Sequence, residues 1–110
     1  MASTFLRKTS RNIGVSPTQI GSYTVAAATQ TTAIGLSLCN TTGSAITGTV
    51  THYDGTNTTY LVKNAPIPAG GSLVVIGGDQ KLVMQTNDYI SVTSSVATSI
   101  DAYLSILEIT

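Results

Sequence analysis

A period-two alternation of apolar and polar residues is the clearest pattern in the sequence. Residues 32–40 place Ile34, Leu36 and Leu38 at every second position, and residues 45–53 repeat this spacing. Because successive side chains of a strand point to opposite faces, the pattern predicts strands that bury one face. No window shows sustained helical spacing, so we predict an all-β chain.

Turn-forming residues divide the chain into eight predicted strands, at intervals of roughly 8 to 12 residues. These strands are residues 20–26, 32–40, 45–53, 58–63, 72–76, 81–85, 89–94 and 98–109. The alanine run at residues 26–28 predicts a short helical turn. The predicted fold is a single antiparallel β-sandwich or a jelly-roll-like barrel of about eight short strands, formed by residues 15–110.

Three short motifs predict how the strands are connected. Asp-Gly at residues 54–55 predicts a hairpin, and Gly-Gly at residues 77–78 predicts a second one with positive φ. Pro-Ile-Pro at residues 66–68 predicts an extended segment that crosses between sheets or follows a sheet edge. The glycine pairs precede strands rather than a helix, so they do not predict a phosphate-binding loop.

The last predicted strand is apolar on both faces. One face of residues 98–109 belongs to the expected core, and the other carries Tyr103, Leu107 and Ile109. A strand of this kind is either central in its sheet or covered by another subunit. The side chains expected in the core are Ile34, Leu36, Leu38, Val50, Val75, Leu82, Ile90, Leu104 and Ile106.

Charge is scarce and unevenly placed. Charged residues make up 9% of the chain and the formal net charge is zero, which favours association. Three basic residues nevertheless fall in the first eleven positions, so we predict that residues 1–14 form an N-terminal basic arm. The arm is either a solvated, frayed terminus or a segment that docks on an acidic face of a neighbouring copy. The docking side chains would be Phe5, Leu6, Arg7, Lys8 and Arg11.

Few residues offer catalytic or metal chemistry. The chain has one histidine, His52, and one cysteine, Cys39, which is too few for a structural zinc site. His52 lies two residues from Asp54, but no nucleophile motif accompanies them, so we interpret His52 as a strand-end structural or interface residue. Cys39 is predicted to be a small buried hydrophobe. We therefore predict a non-enzymatic protein with no cofactor and no metal.

Nucleic-acid and membrane binding are also disfavoured. The basic residues are too few for a nucleic-acid surface, and the five tyrosines lack interleaved Lys or Arg. The N-terminal sequence has no apolar stretch of a secretory signal, and no run is long enough to span a membrane. We expect neither nucleic acid nor membrane as a partner.

The segment LVKNAPIPAGGSLVVIGGDQKLVMQTNDYISVTSS, the ending at residues 101–109 and the opening FLRKTSRNIG resemble small virion proteins of tailed bacteriophages, including phages of cyanobacteria and marine bacteria. The resemblance implies a β-sandwich made in the host bacterial cytoplasm and present in many copies in the virion. It implies a capsid decoration protein or a neck, collar or tail accessory protein, with no catalytic residues. The implied partners are other copies, as a trimer or ring, and major capsid or neck and tail proteins.

Two functions remain open at this point. The first is assembly through the arm and strand faces, with an interface that includes Tyr53, Tyr60, Tyr103, Leu107 and Ile109. The alternative is a head- or tail-attached module that binds a receptor or a carbohydrate. That alternative rests on Tyr53 and Tyr60, which flank the predicted turn at residues 54–57.

Overall fold

Strands make up most of the chain. In the computed structural model, which describes residues 3–77 and 81–110, nine strands and one short 3₁₀ turn are present. Seven of the eight predicted strands are found, although β5 runs on to Ile67. Strands β1 to β9 span Ser3–Ile13, Thr18–Gln19, Gln30–Asn40, Ile46–Tyr53, Thr58–Ile67, Ser72–Ile76, Leu82–Met84, Tyr89–Ser94 and Ile100–Ile109, and the 3₁₀ turn spans Ile20–Ser22.

The strands form two antiparallel sheets that pack face to face. The five-stranded sheet has the order β1-β9-β3-β6, with β7 also paired to β3, and the four-stranded sheet has the order β2-β8-β4-β5. The first strand thus pairs with the last, the second with the eighth and the fourth with the fifth. This nested pairing is the topology of a jelly roll. The predicted β-sandwich is confirmed, and the sheets do not close into a barrel.

The core lies between the two sheets. Val75 and Leu82 are half-buried and pack against it. Gly48 lies in the same layer, where a Cβ would come within 3.1 Å of Ile67 Cδ1. The close approach of the sheets at this point therefore favours glycine. Six predicted core side chains are fully buried, namely Leu36, Leu38, Val50, Ile90, Leu104 and Ile106.

Ile34 was predicted to lie in the core but does not belong to it. The register between β3 and β9 shifts between Ala33, which pairs with Ile106, and Gly35, which pairs with Ser105. Ile34 is the extra residue of this bulge, and it is only partly buried, whereas Ala33 is completely buried. A bulge interrupts the two-residue alternation, so the prediction that Ile34 shares a face with the core residues was wrong.

The predicted strand at residues 20–26 was also wrong. Ile20–Ser22 forms the 3₁₀ turn, because Gly21 and Ser22 have φ values of 59° and 53° and cannot continue an extended strand. Tyr23 and Val25 are nevertheless both buried. The predicted helical turn at residues 26–28 is replaced by a turn in which Ala28 has a φ of 58°.

Strands β6 and β7 do not form the predicted hairpin. Both pair with β3, β6 at its C-terminal half and β7 at its N-terminal half, so they lie one after the other along one edge. Gly77 is not among the residues with positive φ, and Gly78 lies outside the described residues. The turn prediction failed because turn residues reveal where a strand stops but not which strand it pairs with.

The segment predicted as a basic arm contains strand β1. Residues 3–13 pair with β9 along most of their length, which satisfies backbone groups on a β9 edge that would otherwise be open. Leu6 packs against the core from this edge, and Ile13 is buried. The predicted boundary at residue 14 therefore falls after a strand of the sandwich. Docking of this segment on a neighbouring copy stays a prediction.

Asn40 joins the two sheets at one end of the sandwich. Its side chain is fully buried at the end of β3, and Nδ2 donates to carbonyl oxygens near the end of β5, with Ile67 and Pro68 each 3.1 Å away. Oδ1 accepts hydrogen bonds from the backbone N–H and the hydroxyl of Thr42. The sequence pattern predicts only that Asn40 ends a strand, yet its hydrogen bonds hold β3 of one sheet to the end of β5 of the other.

Candidate functional site

The outer face of the five-stranded sheet carries exposed apolar side chains from four strands. Phe5 on β1 is 74% exposed, Val74 on β6 67%, Val83 on β7 65% and Tyr103 on β9 48%. A single apolar residue on a surface is ordinary, whereas several on one sheet face are typical of an interaction surface. Together with Leu107, these residues define what we call the apolar face.

The strand register aligns the apolar face in rows across the sheet. Phe5 is opposite Leu107, Leu107 is opposite Thr32, and Thr32 is opposite Val83. Side chains directly opposite one another in an antiparallel sheet lie on the same face. Phe5 and Leu107 are therefore direct neighbours, and Thr32 lies between Leu107 and Val83 in the same row. A second row runs through Thr9, Tyr103, Ser37 and Val74.

The predicted arm residues are divided between the two sides of β1. Phe5 and Arg7 are exposed on the outer side, and Arg11 is exposed near the end of the strand. Leu6 packs toward the core, and Lys8 on the same side is half-buried, with Nζ 5.3 Å from the centroid of the Tyr23 ring. Alternation along β1 therefore divides the five residues between its two sides, and their docking role stays a prediction.

Cys39 lies on the same outer side, and its predicted burial was wrong. The cysteine is exposed, while its neighbours Leu38 and Asn40 are fully buried. Strand alternation explains the difference, since the residue between two buried positions must face outward. Cys39 borders a shallow groove of about 290 Å³ together with Tyr103 and Arg11.

The outer face of the four-stranded sheet has different chemistry. It contains a groove of about 440 Å³, which we call the tyrosine groove. Its described lining includes one lysine, one asparagine and one proline but no carboxylate. Its other described lining residues are the tyrosines Tyr53, Tyr60 and Tyr89 and the hydroxyl residues Thr49, Thr51, Thr58, Ser91 and Thr93.

Two irregularities in β5 shape the groove. The register between β4 and β5 shifts twice, so that Leu61 and then residues 63–64 have no direct partner. Leu61 and Val62 consequently both pack inward against the core, and Tyr60 and Lys63 both line the groove. Regular alternation would place Tyr60 and Lys63 on opposite faces. The bulges therefore bring the lysine to the outer face, a change that the sequence pattern does not reveal.

The aromatic rings of the groove have defined neighbours. Tyr53 and Tyr89 are directly opposite in the sheet, and their ring centroids are 5.0 Å apart with planes tilted by 32°. Lys63 Nζ lies over the Tyr60 ring, 5.0 Å from its centroid, within cation–π range. At the nearby hairpin, backbone N–H groups donate to the Asp54 carboxylate and lower its pKa. The predicted hairpin at residues 54–55 is thus present.

His52 faces the interior rather than either outer face. Its Nε2 is 2.9 Å from Oδ2 of the buried Asp88, and the same carboxylate oxygen accepts the backbone N–H of Gln85 at 2.9 Å. The partner is therefore Asp88 and not Asp54, the acid considered from the sequence. The contact joins β4 to the turn before β8, as expected for a structural residue.

Residues 3–77 and 81–110 contain neither a metal-holding cluster nor a membrane-spanning helix. No three or more His, Cys, Asp or Glu side chains lie close enough to hold a metal ion there. Within those same ranges, no helix is long and apolar enough to cross a membrane.

Tyr23 supports the five-stranded sheet from inside. Its hydroxyl donates to Glu108 on β9 at 2.6 Å and lies 2.8 Å from the hydroxyl of Thr31 on β3. Burial, followed by the hydrogen bond to Glu108, raises the pKa of Tyr23 to about 12. The neutral phenol is thus the form that the fold stabilises.

The sandwich and its two outer faces define a jelly-roll protein. No protein-family model matches the sequence, and no curated protein matches it. Solved structures do share the fold. A chain of infectious bursal disease virus, Gx strain, matches with a TM-score of 0.58 and 14% identity, over 97% of this chain but only 32% of that chain.

Two further structures match over most of both chains. One belongs to the acid-stable capsid of Helicobacter pylori bacteriophage KHP30, with a TM-score of 0.57, 10% identity and coverage of 98% and 87%. The other comes from Bacillus endospore appendages, described as disulfide-linked pili, with a TM-score of 0.54, 14% identity and coverage of 99% and 87%. At these identities the similarity establishes the fold alone.

The structure separates the predicted interface residues into two groups. Tyr103 and Leu107 lie on the apolar face, and Ile109 is half-buried at the end of the same strand. Tyr53 and Tyr60 lie in the tyrosine groove on the opposite side of the sandwich. Several residues of these surfaces were not predicted, among them Val74, Val83, Lys63 and Tyr89. Alternation in the short strands β6 and β7 could have identified Val74 and Val83. The position of Lys63 depends on the bulges in β5, and that of Tyr89 depends on the pairing of β4 with β8.

Proposed function

We propose that the chain is a non-enzymatic structural protein of a bacteriophage particle, in which many copies associate through the apolar face. The observation that carries this proposal is the aligned set of exposed apolar side chains on that face. Phe5 and Val83 lie at the two ends of one row, which crosses the whole sheet. Covering an apolar surface of this kind with another chain is favourable, because it removes that surface from water.

The outer face of the five-stranded sheet, which carries the apolar face, is large enough for such an interface. Four strand positions spaced by about 4.8 Å and strands of about ten residues at 3.3 Å each give a projected face of roughly 600 Å². A standard stable interface buries about 800 Å² on each partner. A second copy that covers the face and part of its rim would therefore reach the usual size.

The fold and the sequence both support an assembly role. Two of the chains that share this fold come from a phage capsid and from pili, and both kinds of structure contain many copies of their subunits. The resemblance of the sequence to tailed-phage virion proteins favours a capsid decoration protein or a neck, collar or tail protein. Major capsid or neck and tail proteins are the further partners, and the exposed Arg7 and Arg11 suit an acidic neighbour.

Substitution of Phe5 and Val83 by serine in one chain tests the proposal. Both side chains are largely exposed, so the variant is expected to fold normally but to lose self-association and incorporation into particles. Sedimentation velocity of the purified protein and quantitative mass spectrometry of particles measure the two effects. A Tyr60→Ser variant is the matched control, because it removes an exposed aromatic ring from the opposite sheet.

Normal oligomerisation and normal copy number of the Phe5/Val83 double variant would contradict the proposal. Deletion of residues 1–12 is a poorer test, since it also removes most of β1 and uncovers the edge of β9. The number of copies in wild-type particles distinguishes a location in the neck or tail from one on the capsid surface. A few rings of subunits indicate the neck or tail, whereas hundreds of copies indicate the capsid surface.

A further inference from the structure

The tyrosine groove is a built concavity rather than an accidental hollow. Its volume of about 440 Å³ falls within the range of about 300–1,000 Å³ that is usual for small-ligand sites. Strand β4, at its floor, is paired on both sides, and the bulged β5 forms one border. The backbone N–H of Asn64 donates to the hydroxyl of Thr49 at 3.0 Å and fixes this border to the floor.

The polar lining is neutral and rich in hydroxyl groups. Five serine and threonine residues line the groove, and each hydroxyl is able both to donate and to accept a hydrogen bond. Among the described lining residues, Lys63 carries the single charge, and Asn64 adds an amide. Such a lining matches a ligand that is itself densely hydroxylated and uncharged.

The apolar part of the lining consists mainly of tyrosine rings. Tyr60 is 54% exposed, and the Tyr53–Tyr89 pair lies beside it in the groove. Flat rings of this kind pack through dispersion against a flat patch of C–H groups. A pyranose sugar presents such a patch on one side of its ring and hydroxyl groups around its rim.

We propose that the tyrosine groove binds a short neutral oligosaccharide of pyranose sugars. The rings of Tyr53, Tyr60 and Tyr89 pack against C–H faces of the sugars. The threonine and serine hydroxyls and the Asn64 amide exchange hydrogen bonds with the sugar hydroxyls. Lys63, held over the Tyr60 ring, donates to a sugar oxygen at the rim. This site is independent of the apolar face, which lies on the other sheet.

Other occupants fit the groove less well. A nucleic acid needs several basic residues along its phosphates, and the described lining offers Lys63 alone. A hydrophobic ligand would leave the hydroxyl groups without partners. A second copy of this chain would bring its exposed apolar residues, and these suit the apolar face better than a hydroxylated groove.

Titration of isotope-labelled protein with hexasaccharides of glucose, galactose, mannose and N-acetylglucosamine, followed by NMR, tests the proposal. At least one of the four sugars is expected to shift amide signals of β4, β5 and β8 around the groove. Tyr60→Ser is expected to weaken that binding about tenfold, because a ring contact is lost. Lys63→Gln serves as a second variant that keeps the tyrosines. Tyr103→Ser, on the apolar face, is the matched control and is expected to bind like the wild type.

Several outcomes would overturn the proposal. One is the absence of shifts with all four hexasaccharides at millimolar concentration, and another is equal loss of binding in Tyr103→Ser. Groove shifts that depend on protein concentration without any sugar would mean that a second copy occupies the groove. Tighter binding of a thymidine oligonucleotide than of any sugar would assign the groove to nucleic acid instead. Thermal melting of each variant shows whether it is folded.

Discussion

The two outer faces of this sandwich are built by the same strand alternation and have opposite chemistry. On the five-stranded sheet, opposite residues line up in regular rows that contain Phe5, Leu107 and Val83. On the four-stranded sheet, bulges in β5 break the rows and create a concave surface around Tyr60 and Lys63. Register shifts also occur in the five-stranded sheet, so the two faces differ in the side chains that they present rather than in the presence of bulges.

The two kinds of contact also differ in how they depend on geometry. Apolar burial is non-directional and scales with area, so it suits a broad contact with another copy. Hydrogen bonds to sugar hydroxyls are directional and weak individually, so they suit a small site. If both proposals hold, assembly through one face multiplies the weak binding at the other, since linked sites bind with an avidity well above that of one site.

The largest expected effect comes from breaking the joint between the two sheets. Asn40→Ala removes a side chain that donates to Ile67 and Pro68 and accepts from Thr42, and the buried carbonyl of Ile67 loses this hydrogen bond. We expect the free energy of unfolding to fall by about 2–4 kcal/mol, as measured by urea denaturation. Asn57→Ala, in the exposed hairpin, is the matched control and is expected to change stability by less than about 0.5 kcal/mol. Equal stability of the two variants would mean that Asn40 does not join the sheets.

The next effect tests whether Tyr23 stabilises the five-stranded sheet, which carries the apolar face, without stabilising the four-stranded sheet, which carries the groove. Tyr23→Phe removes the hydrogen bonds to Glu108 and Thr31 and is expected to cost about 1–2 kcal/mol at neutral pH. Hydrogen exchange is expected to accelerate in β3 and β9 but not in β4 or β8. Faster hydrogen exchange in both sheets would show that Tyr23 stabilises both of them.

The same substitution has a defined pH dependence. The pKa of Tyr23 is raised from 10.0 to about 12 in the folded chain, so its neutral form stabilises the fold. That contribution is fully present below pH 10 and is lost as the pH rises from 10 to about 12. The stability difference between wild type and Tyr23→Phe is therefore expected to shrink over this interval, and urea unfolding at several pH values measures it. A difference that stays constant across the interval would contradict the assignment.

Salt distinguishes the two faces without any mutation. Sodium sulfate strengthens apolar burial, so we expect it to tighten self-association severalfold. Binding of a hexasaccharide in the groove is expected to change by less than about twofold, because that contact is mostly between neutral groups. Sedimentation and NMR titration at two sulfate concentrations measure the two effects. Weaker self-association in salt would instead indicate that Arg7 and Arg11 dominate the contact.

The smallest perturbation uses the thiol of Cys39 as a reporter. Cys39 is exposed beside Tyr103, next to the apolar face. A thiol reagent is expected to label it at least several times more slowly at protein concentrations where copies associate than in the dilute monomer. The Phe5/Val83 double variant, which is expected to stay monomeric, provides the reference rate. Equal labelling rates at both concentrations would mean that the interface lies elsewhere.

Much of the fold was predictable because alternation needs only local sequence. Residues 32–40, 45–53 and 89–94 gave three of the strands nearly to their observed ends, and Leu36, Leu38 and Val50 were correctly assigned to the core. The outward direction of Tyr103 and Leu107 followed from the same rule. These features depend on the two-residue period alone.

The remaining features depend on pairing between distant strands. Ile34 leaves the core because β3 bulges where it meets β9, and Lys63 reaches the groove because β5 bulges where it meets β4. Gly35 follows Ile34 and Gly48 lies opposite the irregular part of β5, but a glycine in a strand does not specify which residue becomes the extra one. The role of Asn40 was not visible in the sequence, since its partners Ile67 and Pro68 lie 27 and 28 residues away. The place of Tyr89 in the tyrosine groove likewise depends on the pairing of β8 with β4.

The pairing of β1 with β9 has a consequence for how the protein is made. Residues 3–13 are synthesised before the other strands of the sandwich, and their partner, residues 100–109, after them. The five-stranded sheet therefore cannot be completed until β9 has been made, and β1 lacks its partner strand until then. Its basic residues help to keep it soluble during that interval, because like charges oppose pairing between nascent chains. Folding that relies on contacts so far apart in sequence is expected to be slow, on the order of milliseconds to seconds.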